Sequence, residues 1–169
     1  QSHFEDSSGP SPESTIEDAK SMLRWAHQES IQRKIPLFVL GQSLGGAVAI
    51  TAVAEIKDQI QVRGLFVDST FYSYQEAGRS ALSKHWVTWL FQPFAYLVVS
   101  DEWAPEERVR NLAPIPLVVI HGTYDQTIDY ELGEKVFELA QPPKELWKIP
   151  GGFHTDSFWR HDGKYKEQF

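Results

Sequence analysis

Pro36-Leu-Phe-Val-Leu-Gly-Gln-Ser-Leu-Gly-Gly-Ala-Val-Ala-Ile50 is the stretch on which the reading of this chain turns. Pro36 to Leu40 is an apolar, partly β-branched run, short enough for a buried strand. Gly41-Gln-Ser43-Leu-Gly45 follows at once, and from Gly46 the small and apolar residues read as a helix. Strand, Gly-x-Ser-x-Gly, helix is the setting in which a turn presents a serine as a nucleophile. Reversing a strand into a helix within one tight turn forces the central residue into a strained backbone. Small residues on either side, Gly41 and Gly45, let strand and helix come that close. The turn lifts the Ser43 hydroxyl clear of the sheet. It also aims the Leu44 N–H at the same space, where it is a natural donor to a developing oxyanion. A bare Gly-x-Ser-x-Gly arises by chance in about one chain of this length in twenty, so the flanking elements and the loops downstream carry the weight.

The 169 residues, 41% hydrophobic and 23% charged, suffice for one domain with a genuine core. A net charge of −7 argues against a nucleic-acid partner, which wants a basic face. With no cysteine, disulfides, thiolate nucleophiles and cysteine-bound metals are excluded, while the redox compartment stays open. Neither a signal peptide nor a membrane span is read in this chain. Its first residue is Gln1 rather than Met, which points to sequence upstream and leaves localisation unassigned.

Gln1 to Pro12 is a polar loop, and Ser14-Thr15 opens a helix expected to run to about Glu29, with Ile16, Ala19, Met22-Leu23 and Ala26 at helical spacing. Val62 to Val67 is a second strand, ending on Asp68-Ser69-Thr70. Residues 71–103 form an aromatic-rich, helical insertion. Pro116 to Ile120 is a third strand, closing on His121-Gly-Thr-Tyr-Asp125, and Thr127 or Asp129 caps a helix to about Ala140. Leu146 to Ile149 is the fourth strand, followed by Pro150-Gly-Gly-Phe-His154 and a short helical end at Phe169. Strands alternating with helices predict an α/β fold, a parallel sheet of about four strands with helices on both faces, in a single domain over residues 1–169.

Ligands of open parallel sheets bind outside the carboxyl ends of the strands. Ser43, Asp125 and His154 fall there in chain order, after the first, third and fourth strands. A serine hydroxyl needs a base within hydrogen-bonding reach, and a carboxylate on the far imidazole nitrogen fixes the tautomer and stabilises the imidazolium. Asp68, after the second strand, competes with Asp125 for the acid, though its simpler role is to order the Ser69-Thr70 turn. His121 is read as ordering its own loop, His27 and His161 as solvated, His85 as a packing residue, and His3 as part of a loose segment. No spacing suits a metal site, and no cofactor is assigned.

Three segments, Gly41-Gln-Ser-Leu-Gly-Gly46, His121-Gly-Thr-Tyr-Asp125 and Gly151-Gly-Phe-His154, resemble the three signatures of the α/β-hydrolase superfamily. Val67-Asp-Ser-Thr-Phe-Tyr-Ser73 is similar to a loop of the branch of small serine hydrolases that includes protein-depalmitoylating thioesterases. The resemblance runs along the whole chain but covers only the second half of the family fold, lacking the early strands. It implies hydrolysis of a carboxylic ester or thioester through an acyl-enzyme on Ser43, with Asp125 and His154 completing the triad. It also makes residues 71–103 a lid over the nucleophile. Trp86 to Val99 within it carries no charge, but Pro93 and a length of fourteen exclude a membrane span. Gln42, Phe71, Trp86 and Trp89 are the candidates to line an apolar acyl pocket.

The family's second oxyanion donor follows a strand earlier than any here. Strand 36–40 is therefore expected to be a bare edge, completed by an N-terminal half or by a second copy of the chain. Two other classes compete. One is a catalytically inactive, hydrolase-like binding protein. The other is a nucleotide-binding module, since Gly41-x-Ser43-x-x-Gly46 followed by a strand and Asp68 mimics a dinucleotide fingerprint.

Overall fold

The four apolar runs pair side by side in the order in which they occur. In a computed structural model, which describes residues 11–84, 96 and 100–160, they are β1 (Phe38–Gln42), β2 (Gly64–Asp68), β3 (Leu117–Gly122) and β4 (Lys144–Ile149). All three pairings are parallel, with Leu40 opposite Phe66, Phe66 opposite Val118 and Ile120 opposite Trp147. Parallel neighbours need crossovers, which α2 (Leu44–Ile56) supplies between β1 and β2 and α5 (Tyr130–Leu139) between β3 and β4. Helix α1 (Pro12–Arg33) precedes the sheet, and α3 (Tyr74–Ser83) and α4 (Pro105–Arg110) lie between β2 and β3.

Every strand reaches one or two residues beyond the limit that its apolar run suggests. Backbone pairing sets the ends: Gln42 pairs with Asp68 and Gly122 with Ile149, so polar and glycine positions continue the ladder. Lys144 and Glu145 join β4 in the same way, on an edge strand that tolerates charge.

Alternate strand residues point to one face, where Leu65, Val67, Leu117 and Val119 meet Ile50, Val53 and Ile56 of α2, Val109 of α4 and Val136 of α5 in one core. Full burial of each aliphatic side chain contributes roughly 1.5–3 kcal/mol. Helices α2, α4 and α5 thus share one face. On the other, Phe38, Phe66 and Trp147 form a row with successive ring centroids 6.2 Å apart, and Phe38 and Leu40 stay 53% and 47% exposed. The expected terminal helix at 161–169 lies outside the described residues.

Helix α1 is longer than its spacing implied. Ser11, not Ser14, is the N-cap, with a reciprocal capping box to Ser14 and Pro12 in the first turn. Lys34, at φ 56°, ends it in the left-handed region. Ile16 is buried, but Met22 is 61% exposed. Its neighbour Leu23 packs against the core, and Lys20 ties α1 to α2, with Nζ 2.8 Å from Glu55 and also paired with Glu17.

Of the 71–103 insertion, the described part is the helix α3 and its two ends. Asp101 pins them together: Oδ1 accepts from the N–H groups of Tyr74 (2.7 Å) and Gln75 (3.1 Å), and Oδ2 from Ser73 Oγ (2.6 Å). The start of α3 and the segment at Asp101 are thus held together. No described helix is long and apolar enough to cross a membrane.

Candidate active site

Gln42 ends β1 and Leu44 opens α2, so Ser43 makes the whole reversal alone, at φ 52° and ψ −125°. That backbone is unfavourable for a non-glycine residue and persists only where the surroundings dictate it. They do: Ser43 N–H donates to the Asp68 carbonyl (2.8 Å), and Thr70 Oγ1 donates to the Ser43 carbonyl (2.9 Å). A Cβ on Gly41 would sit 2.5 Å from the Gly45 carbonyl oxygen, and one on Gly46 2.7 Å from the Thr70 side chain. Gly45 has open space around it among the described residues. The close approach thus falls on Gly41 and Gly46 rather than on Gly41 and Gly45. Leu44 N–H is the first amide of α2, among the N-terminal donors that have no partner within their helix.

Across the sheet ends, His154 Nε2 lies 3.1 Å from Ser43 Oγ, and His154 Nδ1 lies 2.8 Å from Asp125 Oδ2. The Asp125 side chain is fully buried, while that of His154 is 24% exposed. Oδ1 of Asp125 accepts from the N–H groups of Thr127 (2.8 Å) and Ile128 (2.9 Å), which close the loop around it. Burial pushes this carboxyl up. The donors of His121, Ile128, His154 and Thr127 outweigh burial and hold it well below the usual carboxylate range.

His121 is completely buried, with Nε2 3.0 Å from the Ile128 carbonyl and 3.4 Å from Asp125 Oδ2. Both neighbours are acceptors, so the ring carries its proton on Nε2. Nδ1 faces Gly133 of α5, where an added Cβ would come within 2.0 Å, and has no hydrogen-bond partner among the described residues. His121 thus orders the loop, as its position suggested, by holding the acid itself.

Asp68 touches neither His154 nor Ser43 through its side chain. Its carboxylate accepts from Gln42 Nε2 (3.1 Å), Ser69 Oγ (3.2 Å) and Ser157 Oγ (2.9 Å). Two of the pocket candidates fall within the described residues. The Gln42 amide is engaged by Asp68, because the strand continues to Gln42 and sets it opposite that residue. Phe71, only 5% exposed, packs with Ala47, Ile128 and Leu132 and edge-on to Tyr74 at 5.2 Å, so it is core. Trp86 and Trp89 lie outside the described residues. Sequence reading missed Ser157 and Thr155, whose hydrogen bonds to Asp68 and Ser69 span 89 and 86 residues and leave no local signal.

A strained serine between strand and helix, on a parallel sheet whose later loops bring an acid and a histidine to it, defines an α/β-hydrolase. The chain belongs to the family described as serine aminopeptidase, S33, whose model matches residues 2–113. It is 30% identical over 171 residues to the protein YfhR of Salmonella typhimurium, covering 96% of this chain and 54% of that one. To lysophosphatidylserine lipase ABHD12 of Macaca fascicularis it is 26% identical over 170 residues, 93% of this chain and 41% of the relative. The chain thus spans about half the length of the curated relatives it matches. Among solved structures, the Pyrococcus furiosus esterase Pf2001 superposes with a TM-score of 0.67 at 21% identity, covering 90% of this chain and 58% of that one. The meta-cleavage product hydrolase of Pseudomonas fluorescens does so with 0.64 at 14% identity, covering 98% and 72%. At these identities the likeness shows the fold.

Proposed function

We propose that the chain carries the nucleophile, base and acid of a serine hydrolase acting on carboxylic esters or thioesters with an apolar acyl group. The supporting observation is the continuous line of Ser43 Oγ, His154 and Asp125 Oδ2, with contacts of 3.1 and 2.8 Å. Ser43 Oγ attacks the acyl carbon as its proton passes to His154 Nε2, and Asp125 stabilises the imidazolium that results. Leu44 N–H donates to the oxyanion. His154 returns the proton to the leaving alkoxide or thiolate as the C–O or C–S bond breaks. Water then repeats the sequence on the acyl-enzyme, releasing the acid and restoring the serine. The name lysophosphatidylserine lipase borne by one relative agrees with an apolar acyl ester.

Among the described residues β1 stands at the edge of the sheet with Phe38 and Leu40 exposed, and a bare apolar edge recruits another strand. We assign its completion, and the second oxyanion donor, to an N-terminal half or to a second copy of the chain. The nucleotide-binding alternative is weakened by Asp68, whose buried, hydrogen-bonded carboxylate cannot reach a ribose.

Turnover of p-nitrophenyl esters and acyl thioesters by the wild type, lost in Ser43→Ala with the fold intact by circular dichroism, is the expected result. Turnover unchanged in Ser43→Ala refutes the assignment. Cleavage of aminoacyl amides alone would move the substrate class to peptides. No turnover of any of them favours the inactive binding protein.

A further inference from the structure

Asp68 lies outside the triad, yet it links the elbow to the loop that bears His154. Its main-chain carbonyl accepts the Ser43 N–H at 2.8 Å, and its Oδ2 takes the amide of Gln42, the residue before the nucleophile. Its Oδ1 accepts from Ser157 Oγ at 2.9 Å and from Ser69 Oγ at 3.2 Å. Ser69 Oγ in turn accepts from the N–H of Thr155, the residue after His154, at 3.0 Å. Asp68, Ser69 and Ser157 are all fully buried. Four described non-glycine residues have positive φ, and three of them meet here: Ser43 (52°), Ser69 (55°) and Thr155 (53°). Such conformations are kept where the surroundings over-determine them, and they cluster at sites that need exact placement.

The geometry points to Asp68 as a positioning residue that sets the distance between Ser43 and His154, by tying the elbow and the histidine loop to one buried carboxyl. This rests on the reading of Ser43 as nucleophile and His154 as base. Burial pushes the Asp68 carboxyl up, against the hydrogen bonds of Gln42, Ser157 and Ser69. All three side-chain hydrogen bonds donate into the carboxyl, so what holds the loops is the pattern of acceptors. An asparagine preserves it: its amide oxygen keeps both serine hydroxyls, and its NH₂ meets the oxygen of Gln42 once that exposed side chain turns over.

The test uses the protein as encoded in full, measuring kcat and KM on a p-nitrophenyl ester per active site titrated with a fluorophosphonate. Asp68→Ala is expected to lower kcat per titrated site about 10²-fold, the effect of a misplacement near 1 Å, with KM little changed. Asp68→Asn is expected to retain most of the wild-type rate. Ser157→Ala, which removes one of the two ties to the histidine loop, is expected to fall between them, and it carries the test if Asp68→Ala does not fold. If kcat per titrated site stays at the wild-type value in Ser157→Ala and Asp68→Ala, Asp68 is plain core and the inference is overturned. It is equally overturned if Asp68→Asn is crippled while Asp125→Asn is active, because Asp68 is then the triad acid. A wild type that takes no fluorophosphonate refutes the hydrolase reading itself, a result distinct from both.

Discussion

Replacing Asp125 by asparagine removes one charge and adds no volume, yet the structure makes it a severe change. Oδ1 is fixed by the N–H groups of Thr127 and Ile128 at 2.8 and 2.9 Å, so the amide oxygen of the variant must stay on that side. The NH₂ then faces His154 Nδ1, at 2.8 Å, and His121 Nε2, at 3.4 Å. Each of these ring nitrogens carries a proton in the wild type, so donor would meet donor. His154 relieves the conflict by moving its proton to Nε2, which deprives Ser43 of its base. Loss of the correct tautomer costs about 10⁴ in kcat, or about 5.5 kcal/mol of transition-state stabilisation. Stopped-flow or steady-state ester hydrolysis by the folded variant, normalised to active sites, measures it. A loss of less than about tenfold would mean that Asp125 does not orient His154.

Three further outcomes are expected. Turnover should rise about fourfold per methylene from acetate toward medium-chain p-nitrophenyl esters, since each buried methylene contributes about 0.8 kcal/mol; a flat series would place the pocket among polar groups. Gly133→Ala should lower the melting free energy by about 1–3 kcal/mol, because its Cβ would stand 2.0 Å from His121 Nδ1; an unchanged melting curve would show that His121 moves freely. The buried Asp68 carboxyl has a raised folded-state pKa, so its contribution to stability is complete below its unfolded pKa and is lost as pH rises through the folded value. Chemical denaturation across that range should therefore show Asp68→Asn gaining on the wild type as pH rises, whereas a constant difference would count against the raised pKa.

The strands were legible in the sequence as short apolar runs, because a buried parallel strand draws apolar residues along its length, and the loops bearing Ser43, Asp125 and His154 follow from where those strands end. Strand limits were less legible, since Gln42 and Lys144 enter the ladder through their main chains, which carry no side-chain signal. Met22 misled because it adjoins Leu23, and of the two only Leu23 packs against the core. Phe71 and Gln42 stand near the elbow, but their contacts with Ile128 and Asp68 come from distant segments and carry no local signal. The Asp68–Ser157 and Ser69–Thr155 contacts arise only once β2 and the segment after β4 are brought together, which no short-range pattern encodes.

The measurement that bears most directly on Ser43 as nucleophile is mass mapping of the native protein after reaction with a fluorophosphonate. A single phosphonate adduct on the peptide holding Ser43, absent after prior heat denaturation, is the result predicted by its contact with His154 Nε2. An adduct on another serine, or none at all, would contradict it.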